Sequence, residues 1–172
     1  GRVHWSVVAT TVSGRSSGPT DAAWDTLFPA LLALAGELPW DERSQASSCR
    51  MWNLYGSEPE VIDDKNMHIL ARTYHLRPEI VESTYYLDHF THDPQYRRMG
   101  EKMFADFKQY CRTEAGYAAL SDVVTKKKRD EMESFVFAET FKYYYLLFAP
   151  PTALDFDRVV FNTEAHPLRR TW

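Results

Sequence analysis

The stretch MESFVFAETFKYYYLLF, residues 132–148, decides the fold of this chain. It has the length of a helix, and its only charged side chains are Glu133, Glu139 and Lys142. A helix that is apolar on nearly every side is buried on most of its sides. The stretch therefore predicts an inner helix that is enclosed by other elements of the chain.

The preceding stretch QYRRMGEKMFADFKQYC, residues 95–111, has the complementary pattern of an amphipathic helix. Its apolar side chains lie on one helical face, which is formed by Tyr96, Met99, Met103, Phe107 and Tyr110. Short links between neighbouring helices favour antiparallel packing. Amphipathic outer helices beside nearly all-apolar inner helices predict an all-α fold with concentric helix pairs, rather than a β-sandwich or a βαβ sheet.

Turn and capping signals predict the other elements. Residues 22–38 are predicted to form a helix that Asp21 caps, with a kink or a late start at Pro29. Two more helices are predicted over residues 41–56, ending at Gly56, and over residues 77–90, with Pro78 in the first turn. The shorter predictions are a strand at 3–12, an irregular segment with a short strand at 57–75, an Asp93 cap, a strand or hairpin arm at 116–124 and a solvated charged turn at 125–131.

Bulk composition excludes several classes of protein. The 172 residues suit one ordinary domain, and 44% of them are hydrophobic, which excludes a disordered chain. The net charge of −4 argues against a nucleic-acid binder, and no apolar run is long enough for a membrane span. Cys49 and Cys111 are too few for a disulfide scaffold. Neither the cysteines nor the histidines have the spacing of a zinc site.

Carboxylates stand where an apolar core is expected. Glu79 and Glu82 share one face at the start of a predicted helix, where first-turn acids can simply stabilise the helix dipole. Glu139 lies among phenylalanines in the predicted inner helix. A buried carboxylate is costly unless it is paired, hydrogen-bonded or bound to a metal. A core salt bridge to an arginine is the alternative to a functional role.

The terminal stretch VFNTEAHPL, residues 160–168, places polar side chains between apolar anchors. It is either a frayed, solvated tail or a binding loop. Thr163 and Glu164, taken with the other carboxylates, form a set of oxygen donors, which is the ligand type that Ca²⁺ prefers.

Three stretches together resemble glycoside hydrolase family 47, the class I α1,2-mannosidases: LRPEIVES (76–83), residues 132–148, and VFNTEAHP (160–167). LFPALLALAGEL, LYGSEPE and GYAALSDVV are more similar to the ER degradation-enhancing α-mannosidase-like branch, and within it to the fungal Htm/Mnl-type members. The resemblance covers nearly the whole chain. Residues 1–172 are thus identified as the C-terminal portion of a single catalytic domain.

The resemblance implies an α/α toroid of helix pairs with a small β-hairpin, of which this chain forms a part, and a bound Ca²⁺. Thr163 is expected to bind the ion directly, and four acids are expected to hold its waters: Glu79, Glu82, Glu139 and Glu164. Glu79 resembles the general base. The expected substrate-binding residues are Arg77, which contacts sugar or orients a carboxylate, Phe135, on which the terminal mannose packs, Glu139 and Glu164.

The implied reaction is the inverting, Ca²⁺-dependent removal of terminal α1,2-linked mannose from high-mannose N-glycans. Its substrates would be misfolded glycoproteins in the endoplasmic reticulum lumen, marked in this way for degradation. An inverting hydrolase needs two carboxyl groups on opposite faces of the sugar. The resemblance places the general acid N-terminal to Gly1, so the chain is expected to need the N-terminal part of the domain as its partner.

Two other functions are open at this stage. A lectin-like module that binds glycans or misfolded glycoproteins with little hydrolysis would use the same ion and the same aromatic platform, although Glu79 favours an enzyme. A purely structural scaffold is disfavoured by Glu139 and by the polar stretch at 162–166.

Cys111 resembles a cysteine that the branch uses for a disulfide to the N-terminal part of the domain. The alternative is a free buried thiol. Cys49 is expected to be reduced. The resemblance also implies a protein disulfide isomerase-type oxidoreductase as a partner.

Overall fold

The computed structural model describes residues 20–36, 38–63 and 66–171. It is mostly helical, as predicted, with helices α1 (Phe28–Ala35), α2 (Leu38–Tyr55), α3 (Glu79–Thr91), α4 (Pro94–Cys111) and α5 (Phe141–Phe148). The described residues also form seven short strands: β1 (Thr20–Ala22), β2 (Val61–Asp63), β3 (Ile69–Ala71), β4 (Leu120–Asp122), β5 (Lys127–Lys128), β6 (Val159–Phe161) and β7 (Pro167–Arg169). The strand predicted at 3–12 lies outside the described residues.

Helices α4 and α5 pack antiparallel through aromatic rings. Phe107, late in α4, lies 5.7 Å from Phe141 at the start of α5, measured between ring centroids. Phe104, one turn earlier, lies 6.0 Å from Phe148 at the end of α5. The two helices approach closely at Gly100, where an added Cβ would lie 2.1 Å from a side-chain carbon of Leu147.

Helices α3 and α4 are also antiparallel. The hydroxyl of Thr84, early in α3, lies 3.9 Å from Sδ of Met103 late in α4, and Leu87 packs with Tyr96 near the start of α4. Since α4 runs opposite to both of its neighbours, α3 and α5 run in the same direction. Their N-terminal ends therefore lie at one end of the structure.

The inner helix begins later than predicted. The π turn Val136–Thr140 precedes α5, which starts only at Phe141. The prediction that this segment is buried on most sides is wrong for one face, because Phe137 and Tyr145 are 63% and 64% exposed. None of the described elements covers that face.

Capping explains the other helix boundaries. Asp21 lies in β1 rather than at the start of a helix, and α1 starts late, at Phe28, with Pro29 in its first turn, so there is no kink. The cap predicted at Asp93 is confirmed, since its Oδ1 accepts a 2.8 Å hydrogen bond from the backbone N–H of Gln95. The end of α2 at Gly56 is also confirmed, by a left-handed φ of +64°.

The strands form three small antiparallel sheets, with the order β1-β2-β3 and the pairs β4-β5 and β6-β7. The prediction of a charged turn at 125–131 is partly wrong, because Lys127 and Lys128 form strand β5, which pairs with β4. Strands β6 and β7 form a hairpin in which Val160 lies opposite Leu168. None of the helices in the described ranges is long and apolar enough to cross a membrane.

Candidate active site

The site lies where α3 and the π turn begin, beside the β6-β7 hairpin. Glu79 is the first residue of α3, and Glu82 follows on the same face. Pro78 lies at the N-cap, one residue before the predicted position, and its carbonyl accepts from the Glu82 N–H at 2.8 Å. Glu79 and Glu82 thus lie together at the N-terminus of α3, which stabilises negative charge.

Arg77 is held by a carboxylate that the sequence analysis did not single out. Its Nε donates to Oε1 and Oε2 of Glu60 at 2.9 Å and 3.0 Å, and a second nitrogen also bonds Glu60. This bidentate geometry fixes the plane of the guanidinium. The Arg77 guanidinium lies farther from Glu79, at 3.8 Å from Oε1. Glu60 therefore holds the Arg77 guanidinium in place, and this places a fixed positive charge near the Glu79 carboxyl.

Glu79 retains an unpaired oxygen. Its Oε2 is buried and has no hydrogen-bond partner among the described residues. Burial raises the pKa of this carboxyl above its usual range, and the charge of Arg77 opposes that rise. A carboxyl whose pKa is raised, with one oxygen free, has the properties of a general base.

Glu82 is bonded to the inner helix. The hydroxyl of Tyr143 donates to its Oε1 at 2.6 Å. Burial raises the pKa of Glu82 to about 7, and the charges of Glu139 and Glu79 add to that rise while the hydrogen bond opposes it. The three carboxyl groups are therefore close enough to repel one another.

Glu139 lies in the π turn and is 9% exposed. The turn is fixed by Thr140, whose hydroxyl donates to the carbonyl of Leu76 at 2.7 Å. No arginine among the described residues forms an ion pair with Glu139, so the alternative of a core salt bridge is not observed. Burial raises its pKa to about 7, and the next largest contribution is the charge of Glu164. A single π turn next to an α-helix is frequently found at functional sites.

The polar stretch near the C-terminus is an ordered turn rather than a frayed tail. Asn162 folds it, because its Oδ1 accepts from the backbone N–H groups of Glu164 at 3.0 Å and His166 at 2.8 Å. Thr163 and Glu164 are exposed at the tip of this turn. Nζ of Lys142 ties the turn to α5 by donating to the Ala165 carbonyl at 2.5 Å.

The donor set fits a hard cation that is held largely through water. Within the described ranges, no group of three or more acidic, histidine or cysteine side chains could hold a metal directly. Burial nevertheless raises the pKa of both Glu82 and Glu139 to about 7, and the charges of neighbouring acids add to each rise. A divalent cation would relieve this repulsion, and Thr163, exposed next to Glu164 in the turn, has the neutral oxygens that such a cation accepts as ligands.

Phe135 is half-buried immediately before the π turn and packs against the core. Both cysteines are buried and unpaired within the described residues, and the Cys111 side chain is 0% exposed. Burial raises the pKa of each thiol to about 12. The disulfide of Cys111 to another segment of the domain stays a prediction.

Four residues of the site and its surroundings were not predicted from the sequence: Glu58, Glu60, Lys142 and Tyr143. Tyr143 lies in an aromatic run that is typical of core packing, so no sequence signal marks its hydroxyl. Glu60 could have been suspected, because a buried arginine next to a candidate base needs an acidic partner. Glu58 is fully buried, and neither of its carboxyl oxygens has a hydrogen-bond partner in the described part of the chain.

Antiparallel helix pairs with acids gathered at one end define a helical-barrel protein with a carboxylate site. Residues 33–170 match glycosyl hydrolase family 47, and the chain belongs to that family. It is 41% identical over 146 residues to mannosyl-oligosaccharide 1,2-alpha-mannosidase MNS1 of Arabidopsis thaliana, and this match covers 80% of the chain and 24% of that protein.

A second relative is ER degradation-enhancing alpha-mannosidase-like protein 1 of Saccharomyces cerevisiae, with 35% identity over 82% of the chain and 20% of that protein. Among solved structures, alpha-1,2-mannosidase from Trichoderma reesei superimposes with a TM-score of 0.81 at 26% identity. That superposition covers 91% of this chain and 40% of the other. The chain thus spans a quarter or less of the two named curated relatives, and the predicted α/α fold class is confirmed.

Proposed function

We propose that this chain forms the base-bearing part of an α1,2-mannosidase that trims mannose from high-mannose N-glycans. The observation that carries the proposal is Glu79, a carboxyl with a raised pKa and a free oxygen, at the head of a cluster of acids. Homologues named as mannosyl-oligosaccharide 1,2-alpha-mannosidases support the substrate class.

Glu79 acts as the general base and takes a proton from the attacking water. Its raised pKa suits this task, because a base works best when its pKa lies nearer to the working pH. Arg77, fixed by Glu60, limits the motion of the Glu79 carboxyl. An inverting hydrolysis needs an acid on the opposite face of the sugar, and that group is assigned to the N-terminal part of the catalytic domain.

Thr163 would hold Ca²⁺ directly, and Glu79, Glu82, Glu139 and Glu164 would hold it through water. The ion would supply positive charge that orders sugar hydroxyls and the attacking water. Glu139 and Glu164 would also contact the substrate, and Phe135 would provide the apolar ring on which the mannose packs.

The proposed setting is the endoplasmic reticulum lumen, where trimming marks misfolded glycoproteins for degradation. The similarity to the yeast ER degradation-enhancing protein supports this branch. The proposed partners are the N-terminal part of the domain, a protein disulfide isomerase-type oxidoreductase and high-mannose glycoproteins.

The deciding experiment compares Glu79→Gln with Glu101→Gln in the full-length protein. Gln has nearly the shape of Glu but cannot accept the proton, so mannose release from a high-mannose glycoprotein should fall by about 10²–10⁴-fold. Glu101 is an exposed acid on α4, and its variant should retain full activity. Normal mannose release by Glu79→Gln would refute the assignment of the base. A wild-type protein that binds the glycan without releasing mannose would support the lectin-like alternative.

A further inference from the structure

The Asn162–His166 turn has a single buried point of attachment. Ala165 is 1% exposed and adopts a left-handed φ of +53°, while Asn162, Thr163, Glu164 and His166 are exposed. The hydrogen bonds that Asn162 makes within the turn set its shape. These internal bonds do not set the position of the turn relative to the helices. The position of the turn therefore depends on contacts made at Ala165 and its neighbours.

Lys142 makes such a contact from the first turn of α5. Its ammonium group donates to the Ala165 carbonyl at 2.5 Å and lies 5.9 Å from the centroid of the Phe161 ring, in the strand that leads into the turn. A charged donor forms a stronger hydrogen bond to a carbonyl than a neutral donor does. One side chain thus bonds to the buried residue of the turn and also contacts the strand that leads into it.

The same lysine stands one turn after Glu139, and its charge lowers the pKa of that acid. A lysine that served only as the counter-ion of Glu139 would bond to its carboxylate. Within the described residues there is no ion pair between Lys142 and Glu139, and the ammonium bonds to the turn instead. Its geometry is that of a clamp between the helix that follows Glu139 and the turn that carries Thr163.

We propose that Lys142 is a positioning residue that holds Thr163 and Glu164 in register with Glu139 for cation binding. The inference rests on the Ca²⁺ site of the proposed function. Without the clamp, the turn loses its fixed distance from the acids, and its internal hydrogen bonds to Asn162 open more often. Binding an ion would then include the cost of ordering the turn.

The test uses the metal-stripped full-length protein and two substitutions of Lys142. Lys142→Met keeps the length of the side chain and removes the donor, and Lys142→Arg keeps a charged donor. Titration with CaCl₂ in a calorimeter should show affinity about tenfold weaker for Lys142→Met, as expected for the loss of one charge-assisted hydrogen bond. Lys142→Arg should recover affinity to within about threefold.

Lys128→Met is the matched control. Lys128 also donates to a backbone carbonyl at 2.5 Å, that of Arg112, in the hairpin β4-β5 away from the acids. Its Ca²⁺ affinity should equal that of the wild type. Equal affinities for Lys142→Met and the wild type would overturn the clamp, and so would equal weakening in the two methionine variants.

Hydrogen exchange gives a readout that needs no calcium. In the metal-free protein, the amides of Glu164 and His166 should exchange faster in Lys142→Met than in the wild type, while the amides in the middle of α4 should be unchanged. Unchanged exchange in the turn would overturn the clamp. A wild type that binds no Ca²⁺ would refute the proposed metal site, and the exchange rates would then decide the clamp alone.

Discussion

The hydroxyl of Tyr143 donates a 2.6 Å hydrogen bond to Oε1 of Glu82 and so joins α5 to α3 at the end where the acids gather. Both residues are largely removed from solvent, and Tyr143 is 1% exposed. The bond stabilises the ionised form of Glu82, which burial and two neighbouring acids disfavour. The stability of the fold and the charge of the site are therefore linked through one tyrosine.

Tyr143→Phe should remove this donor without changing the packing of the ring. We expect the free energy of unfolding to fall by about 1–2 kcal/mol, because a buried acid loses its hydrogen bond. The pKa of Glu82 should rise further. Urea denaturation measures the stability change, and Tyr145→Phe, at a tyrosine that is 64% exposed, is the control that should change nothing. Identical midpoints for both variants would contradict this prediction.

The metal-free protein should lose stability as the pH rises. Folding raises the pKa of Glu82 and Glu139 from 4.5 to about 7, so the folded state holds more protons than the unfolded state between these values. Their protonation therefore favours folding below pH 4.5, and that contribution is lost as the pH passes about 7. Melting temperatures measured from about pH 5 to about pH 8 in EDTA should fall more in the wild type than in Glu82→Gln/Glu139→Gln.

Calcium should have the opposite pH dependence. The ion competes with protons for the same carboxylates, so the rise in melting temperature on adding CaCl₂ should be larger at about pH 8 than at about pH 5. Thr163→Ala should reduce this rise at both values. A melting curve that is unaffected by chelator at about pH 8, or zinc found by elemental analysis, would contradict the proposed calcium site.

Glu60→Gln should impair catalysis through Arg77. The amide cannot form the charged bidentate pair, so the guanidinium is held less firmly by residue 60, and a shift of its charge toward Glu79 would lower the pKa of the base. We expect kcat/KM for mannose release to fall by about tenfold or more. Asp155→Asn is the control, since Asp155 pairs with Arg158 at 3.5 Å on the exposed surface, and its loss should leave kcat/KM unchanged.

Glu58→Leu should stabilise the fold. Burial raises the pKa of Glu58 well above its usual range, and the nearby Thr26 hydroxyl opposes that rise. This hydroxyl donates its proton to the Ala23 carbonyl at 2.6 Å, and neither Glu58 carboxyl oxygen accepts a hydrogen bond in the described part of the chain. Replacing an unpaired buried polar group by an apolar one of similar size should add about 1–3 kcal/mol to the free energy of unfolding. Glu58→Gln buries a polar amide in the same place and should add less. A loss of stability in Glu58→Leu would show that the carboxyl has a partner.

The state of Cys111 can be read by mass spectrometry. The complete burial of its side chain predicts a thiol that resists alkylation in the folded protein and reacts after unfolding. A disulfide to the N-terminal part of the domain predicts instead a cross-linked peptide that disappears in Cys111→Ser. Non-reducing digestion of the full-length protein distinguishes the two outcomes.

Much of the helical frame followed from the sequence. The contrast between the amphipathic residues 95–111 and the nearly apolar residues 132–148 predicted outer and inner helices, and Asp93 and Gly56 marked boundaries that the structure contains. Such signals are local, because they depend on periodicity and on backbone conformation within a few residues. The π turn was missed since its side-chain pattern is the same as that of an ordinary helix start.

Only part of the site could be predicted, because the signals in the sequence are local. The sequence by itself determined that Glu139 is a carboxylate in an apolar helix, and that Glu79 and Glu82 share one face at the start of another helix. Only the tertiary structure decided what each side chain bonds to. Glu60 and Arg77 are 17 residues apart, Lys142 and Ala165 are 23 apart, and Glu82 and Tyr143 are 61 apart. Contacts at such separations depend on how the helices pack, and no local pattern encodes them.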